Sequence, residues 1–135
     1  MKAITLWQPW ATLVAIGAKR FETRSWSTHY RGPLAIHAAK TGMDIARYRG
    51  RPKIEEALAH AGYSFDTLPL EAVVCTTRLA AVLPAAVVVR QGLADDFGDY
   101  GAGRYAWQLV AVRPLVEPVP AKGRQRFWEW EGIAP

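Results

Sequence analysis

Lys19, Glu22 and Arg24 set two cations around one carboxylate within the stretch GAKRFETRSW (17–26). Three chemistries fit that spacing. The carboxylate can keep both cations charged and aimed at a common anion. A lysine whose pKa is lowered by burial can instead work with Glu22 as an acid/base pair. Or the three side chains simply pair on the surface, where such contacts are worth about 0–1 kcal/mol. Spacing alone leaves these readings open.

Few other residues offer chemistry. His29, His37 and His60 lack metal-ligand spacing and Cys75 is the single cysteine, so neither a metal site nor a disulfide is expected. A lone histidine such as His37 is more often a hydrogen-bonded structural residue than a catalyst. GDYGAG (98–103) lacks the lysine and following helix of a phosphate loop, and no nucleophile elbow is present. No cofactor is expected. Six tryptophans are many for 135 residues. Most should be core, with Trp7 and Trp10 beside the first helix and Trp128 and Trp130 in the closing segment. Aromatics beside cations also stack on bases, and Trp26, sharing a strand face with Glu22 and Arg24, is the best candidate for that.

The charge is uneven. Residues 17–53 hold nine basic and two acidic residues, a local +7, whereas the rest of the chain holds eight basic and ten acidic. A surface that meets phosphates has this footprint, and so does a solvated basic face without a partner. Half the residues are hydrophobic, the composition of a globular chain of one domain, 1–135. Gln8-Pro9 interrupts the apolar N-terminal run, which argues against a signal peptide, and Pro84 breaks the other long apolar run, so no membrane span is expected. A soluble, cytoplasmic protein is the expectation.

The elements that must position these residues follow from periodicity. Residues 2–7 read as a strand, and Pro9 opens a short helix with Trp10, Leu13 and Val14 on one face and Gly17 as its stop. Residues 20–26 form a strand with Glu22, Arg24 and Trp26 on one face and Phe21, Thr23 and Ser25 on the other. After a turn at 30–33, residues 34–39 form a strand with Leu34 and Ile36 opposite His37. Asp44 caps a short helix interrupted at 50–52, and Pro52 opens another with Ile54, Ala57, Leu58 and Ala61 in register. Strands over 72–82 and 104–112 complete the pattern, with a strand fragment at 87–89 and a polar loop at 94–103. Pro114, Pro118 and Pro120 are expected to forbid regular structure beyond. About five strands with two or three helices suggest a small, partly closed barrel of mixed class.

QPWATLVAIGAKRFETRSW (8–26) followed by YRGPLAIHAAK (30–40) resembles the ASCH domain, the activating-signal-cointegrator homology family. GRYAWQLV (103–110) and VPAKGRQRFWEW (119–130) resemble its penultimate strand and closing segment. The resemblance implies an α+β, PUA-like pseudo-β-barrel of five to six strands with two or three flanking helices. It also implies binding of RNA, with DNA as the alternative, in a basic cleft between the barrel and the first helix. By position that cleft draws on Gln8, Trp10, Lys19, Glu22, Arg24 and Trp26. His37 and Lys40 would come from the next strand, and Lys122 and Gly123 from the closing loop.

Two other functions are implied. Acetylcytidine amidohydrolases of the superfamily are similar at Gly17-x-Lys19 and Arg24, but their threonine nucleophile falls on Glu22, and Thr23 should point to the opposite face. A hydrolase acting on a modified nucleoside or single-stranded RNA would then rely on Lys19 and Glu22. The founding members sit inside coactivator complexes, which makes a protein-interaction module the third reading.

Overall fold

A computed structural model describes residues 1–132. In chain order the elements are β1 (Lys2–Leu6), α1 (Trp10–Ala15), β2 (Phe21–Arg24), β3 (Gly32–Ala38), α2 (Met43–Tyr48), α3 (Pro52–His60), β4 (Ala72–Pro84), α4 (Ala85–Arg90), β5 (Tyr105–Pro120) and β6 (Trp128–Glu129). The strands form one α+β sheet in the order β2-β5-β4-β3-β1-β6, with β1 and β3 parallel and every other neighbour antiparallel.

Among the described residues the sheet does not close into a barrel, because no ladder joins β2 to β6. It curls instead. Register shifts interrupt the β4–β5 pairing at three places, and bulges of this kind bend and twist a strand. The curl brings β2 and β1, which have three strands between them in the sheet, close enough for Arg24 Nη2 to donate to the Thr5 carbonyl at 2.9 Å. A side chain bridges the gap that a barrel would close with backbone.

Inside the curl lie Ile4, Leu6, Leu34, Ile36, Leu79, Trp107 and Leu109, all buried, with Ala11, Val14 and Ala15 of α1 packed against them. A six-residue helix is unstable alone, so packing must hold α1. It is buried all round rather than on the single face expected: Val14 meets the sheet, whereas Leu13 meets Ile54 and Leu58 of α3. Gly17 ends α1 at φ +81°, a conformation that favours glycine, and the amides of Ala18 and Lys19 turn back to the Leu13 carbonyl. That turn carries Lys19 back beneath the helix.

Three elements depart from the periodicity. Val87–Val89 lie in α4, not a strand: Pro84 sits at its N-cap and Val88 is buried against Phe21 and Ala106, so tertiary burial overrides the β-branched run. β5 continues to Pro120 through all three prolines. Beyond Gln108 its outer edge has no β2 partner, and an edge tolerates residues that lack an N–H. Asp44 stands in the first turn of α2, whose N-cap is Gly42. With α4, four short α-helices accompany the sheet among the described residues.

Candidate nucleic-acid interface

Strand alternation separates the two faces of β2 as expected. Phe21 and Thr23 are buried, whereas Glu22 and Arg24 are half-buried and line a cleft of about 570 Å³ between the sheet and α1. Glu22 sits between the cations: its Oε2 accepts from Arg24 Nε at 3.0 Å, and its Oε1 lies 3.8 Å from Lys19 Nζ. Lys19 is only 2% exposed, and its Nζ donates to the Phe97 carbonyl at 2.7 Å. Burial pushes the lysine amine below its ordinary value, against the opposing pull of Glu22 and Asp95. The three side chains therefore meet one another first, in a fixed network at the floor of a cleft.

The far wall comes from the loop over 91–104. Asp95 organises it by accepting from the amides of Arg20 and Phe97 and from the Tyr100 hydroxyl. Thr23 ties it to β2: its hydroxyl accepts from the Asp99 amide, and its carbonyl accepts from Arg104 Nη2. The near wall is aromatic. Trp10 donates its indole N–H to Asp44 Oδ2 at 2.9 Å and packs edge-on against Tyr48, with Lys19 Nζ 5.8 Å from the indole centroid. Lys19, Arg24 and Arg104 thus face Glu22, Asp44, Asp96 and Asp99 across this cleft. Three cations against four carboxylates do not make the basic cleft that the charge pattern suggests.

The cation excess lies next door. A second cleft, of about 540 Å³, shares Thr5, Trp7 and Arg24 with the first and is lined by Arg24, Lys40, Lys122, Arg124 and Arg126 against Glu71 alone. Its floor is a hydrogen-bonded chain. His37 Nε2 lies 2.6 Å from the Ala121 carbonyl, which can only accept, so Nε2 carries the proton. Nδ1 of the neutral ring then accepts from the Thr5 hydroxyl at 3.1 Å, and Thr5 accepts from the Trp128 indole at 3.1 Å. Burial lowers the His37 pKa, consistent with the neutral ring. The closing loop presses on this chain: a Cβ on Gly123 would stand 2.6 Å from His37 Cε1 and 2.7 Å from Thr5 Oγ1. Glycine is needed there for close approach.

The sequence profile of the ASCH domain family matches residues 4–118. The chain belongs to the ASCH domain family. Among solved structures it is similar to the ASCH protein of Zymomonas mobilis, at 17% identity and a TM-score of 0.55, over 88% of this chain and 72% of that one. A tyrosine-to-phenylalanine and a serine-to-alanine variant of that protein match at the same identity and score, over 74% and 72% of their chains. At this identity the likeness shows the fold alone. A search of curated proteins finds no match.

In this ASCH domain the residues singled out from sequence fall into three places. Trp10, Lys19, Glu22, Arg24 and Trp26 line the mixed cleft, and His37, Lys40, Lys122 and Gly123 line the basic one with Arg24. Gln8 lines neither. It is fully buried, with its amide bonded to Thr12 and to the Pro69 carbonyl, and it serves the helix start. Trp26 is half-buried: it packs edge-on against Trp107 and Phe127, and the Arg126 guanidinium covers it at 4.3 Å from its centroid. Trp7, expected in the core, is 43% exposed on the wall between the two clefts. Sequence reasoning also missed Asp44, Tyr48, Asp96, Asp99 and Arg104 in the first cleft and Arg124 and Arg126 in the second. For the last two a signal existed, since both lie in the closing motif beside Lys122. No helix among the described residues is long and apolar enough to cross a membrane.

Proposed function

We propose that the protein binds single-stranded RNA, with phosphates along the basic cleft and a base turned into the mixed cleft. The observation that carries this reading is the adjacency of two clefts of unlike chemistry across one wall, where an exposed tryptophan stands beside Arg24. Five cations against one carboxylate attract a phosphate backbone. An aromatic-walled cleft whose donors and acceptors are nearly balanced in charge suits a nucleobase, which has a flat apolar face and a polar edge. Trp7 supplies a stacking face where the chain would pass from one cleft to the other. Membership of the ASCH family, which is associated with nucleic acid, supports the same reading.

Fluorescence anisotropy of labelled single-stranded RNA, titrated at low and moderate salt, tests it. Binding should be present at low salt and weaken steeply as salt rises. No binding at low salt, or binding indifferent to salt, refutes the proposal.

A second reading draws on Lys19. A buried amine of lowered pKa, 3.8 Å from a carboxylate in a cleft, is the arrangement of an acid/base pair, and it supports a hydrolase acting on a nucleoside or RNA. Turnover lost in Lys19→Ala would favour it.

A further inference from the structure

Glu71 is the single carboxylate of the basic cleft, and two observations set it apart. Its backbone stands at φ +51°, in the left-handed region that favours glycine. Such a conformation persists where the surrounding structure imposes it, and here two hydrogen bonds do so. The Glu71 amide donates to the Ala39 carbonyl just past β3, and the Glu71 carbonyl accepts from the Ala121 amide just past β5. Lys40 and Lys122 are the next residues along those two segments, and both line the cleft. The second observation is that the carboxylate is unused. Among the described residues it accepts no hydrogen bond and forms no ion pair, although five cations line the same cleft. Nor is it sealed: among the described residues the buried side-chain polar atoms without a partner are Asp44 Oδ1 and Arg104 Nε alone. Glu71 is half-buried, and solvent reaches both of its oxygens.

An acceptor in this position works against a phosphate chain unless the chain also brings it a donor. RNA brings one at every nucleotide, since a ribose 2′-hydroxyl lies between successive phosphates, and DNA has none there. The cleft presents the matching order: Lys40 on the segment at one side of Glu71, the carboxylate, and Lys122 on the segment at the other. We propose that Glu71 accepts a hydrogen bond from a ribose 2′-hydroxyl and is the residue by which the protein prefers RNA to DNA. An ionised carboxylate only accepts, so the hydroxyl donates. With RNA this charge-assisted hydrogen bond offsets the repulsion between the carboxylate and the flanking phosphates. With DNA the repulsion stands alone, so one side chain selects for the first and against the second. The inference rests on the RNA-binding reading and specifies its backbone.

The test uses three labelled single-stranded dodecamers of equal charge and identical bases: oligouridylate, its 2′-deoxy counterpart, and its 2′-fluoro counterpart, which keeps a ribose-like pucker without the hydroxyl donor. Phosphate contacts cancel in the comparison. The wild-type protein should bind the ribose oligomer about tenfold more tightly than either of the others. Glu71→Gly removes the carboxylate and suits the backbone at φ +51°, so the melting temperature should hold or rise while the preference falls to about one. Much of that fall should come from tighter binding of the deoxy and fluoro oligomers, which no longer meet the carboxylate. Equal binding of the ribose and fluoro oligomers by the wild-type protein, or an unchanged preference in Glu71→Gly, overturns the inference and leaves RNA binding standing. Absence of binding to all three at low salt overturns both. If Glu71→Gly does not fold, Glu71→Asn, uncharged, shorter and tolerant of the same φ, is read in the same way.

Discussion

Replacing Lys122 and Arg124 together by alanine isolates the phosphate-binding half of the proposed function. Of the five cations of the basic cleft, Arg24 is held by Glu22 and the Thr5 carbonyl, and Arg126 lies over Trp26. Lys40, Lys122 and Arg124 are exposed and form no ion pair among the described residues. If these three neutralise three phosphates, log affinity should fall against log salt with a slope of about −2, since each phosphate on a single strand contributes roughly −0.7. The double variant keeps one, so its slope should shrink to about −0.7. At 0.1 M salt each lost phosphate removes roughly fivefold in affinity by the same relation, or about 25-fold for the pair. Stability should stay within about 0.5 kcal/mol, as for other surface substitutions free of partners. Anisotropy titrations across a salt series give slope and affinity together, and thermal melts check the fold. A double variant with unchanged slope refutes the argument, because the phosphates would then lie elsewhere. Lost affinity with a lowered melting temperature would refute it differently, by showing that these side chains hold the closing loop.

Two of the three cleft tryptophans, Trp7 and Trp26, should separate binding from stability. Trp7→Ala should leave the melting temperature nearly unchanged and weaken RNA binding by about 1–3 kcal/mol with little salt dependence; Trp26→Ala, which empties the contact with Trp107 and Phe127, should destabilise by roughly 3 kcal/mol. Similar melting temperatures for the two variants would contradict the assignment. Purified protein incubated with acetylcytidine and followed by chromatography should show no deacetylation, since by the sequence resemblance the amidohydrolases' threonine would fall on Glu22; turnover abolished by Lys19→Ala would reverse that expectation and promote the hydrolase reading. His37 is held neutral with a pKa below its ordinary 6.5, so the unfolded chain binds the extra proton first on acidification. Its contribution to stability should be complete above about pH 6.5 and decline below it, seen as a melting temperature that drops between pH 7.5 and 5.5 and drops less in His37→Gln. Equal slopes in the two proteins would remove His37 from the account.

The sequence by itself determined whatever depends on neighbours a few residues away. Alternation along β2 separated Phe21 from Glu22 and Arg24, because successive strand side chains point to opposite faces. Gly17 marked the end of α1, and Pro52 the start of α3, through backbone constraints local to each residue. The motifs around Lys19, His37 and Lys122 were enough to name the family and to pick out five lining residues of each cleft. What only the tertiary structure decided depends on distant partners. The loop over 91–104 reads as an unremarkable polar stretch, yet Asp95 and Thr23 fold it over β2, where its carboxylates offset the cations that the local +7 suggested. Trp7 and Trp26 each stand beside polar residues in the sequence, and only the curl of the sheet leaves one exposed and half-buries the other against Trp107, Phe127 and Arg126. The prolines of β5 looked prohibitive because their tolerance rests on an absent neighbour, an edge without a partner, and that is a property of topology. Net charge can be counted along a chain; where charge accumulates depends on which distant segments the fold brings to the same wall.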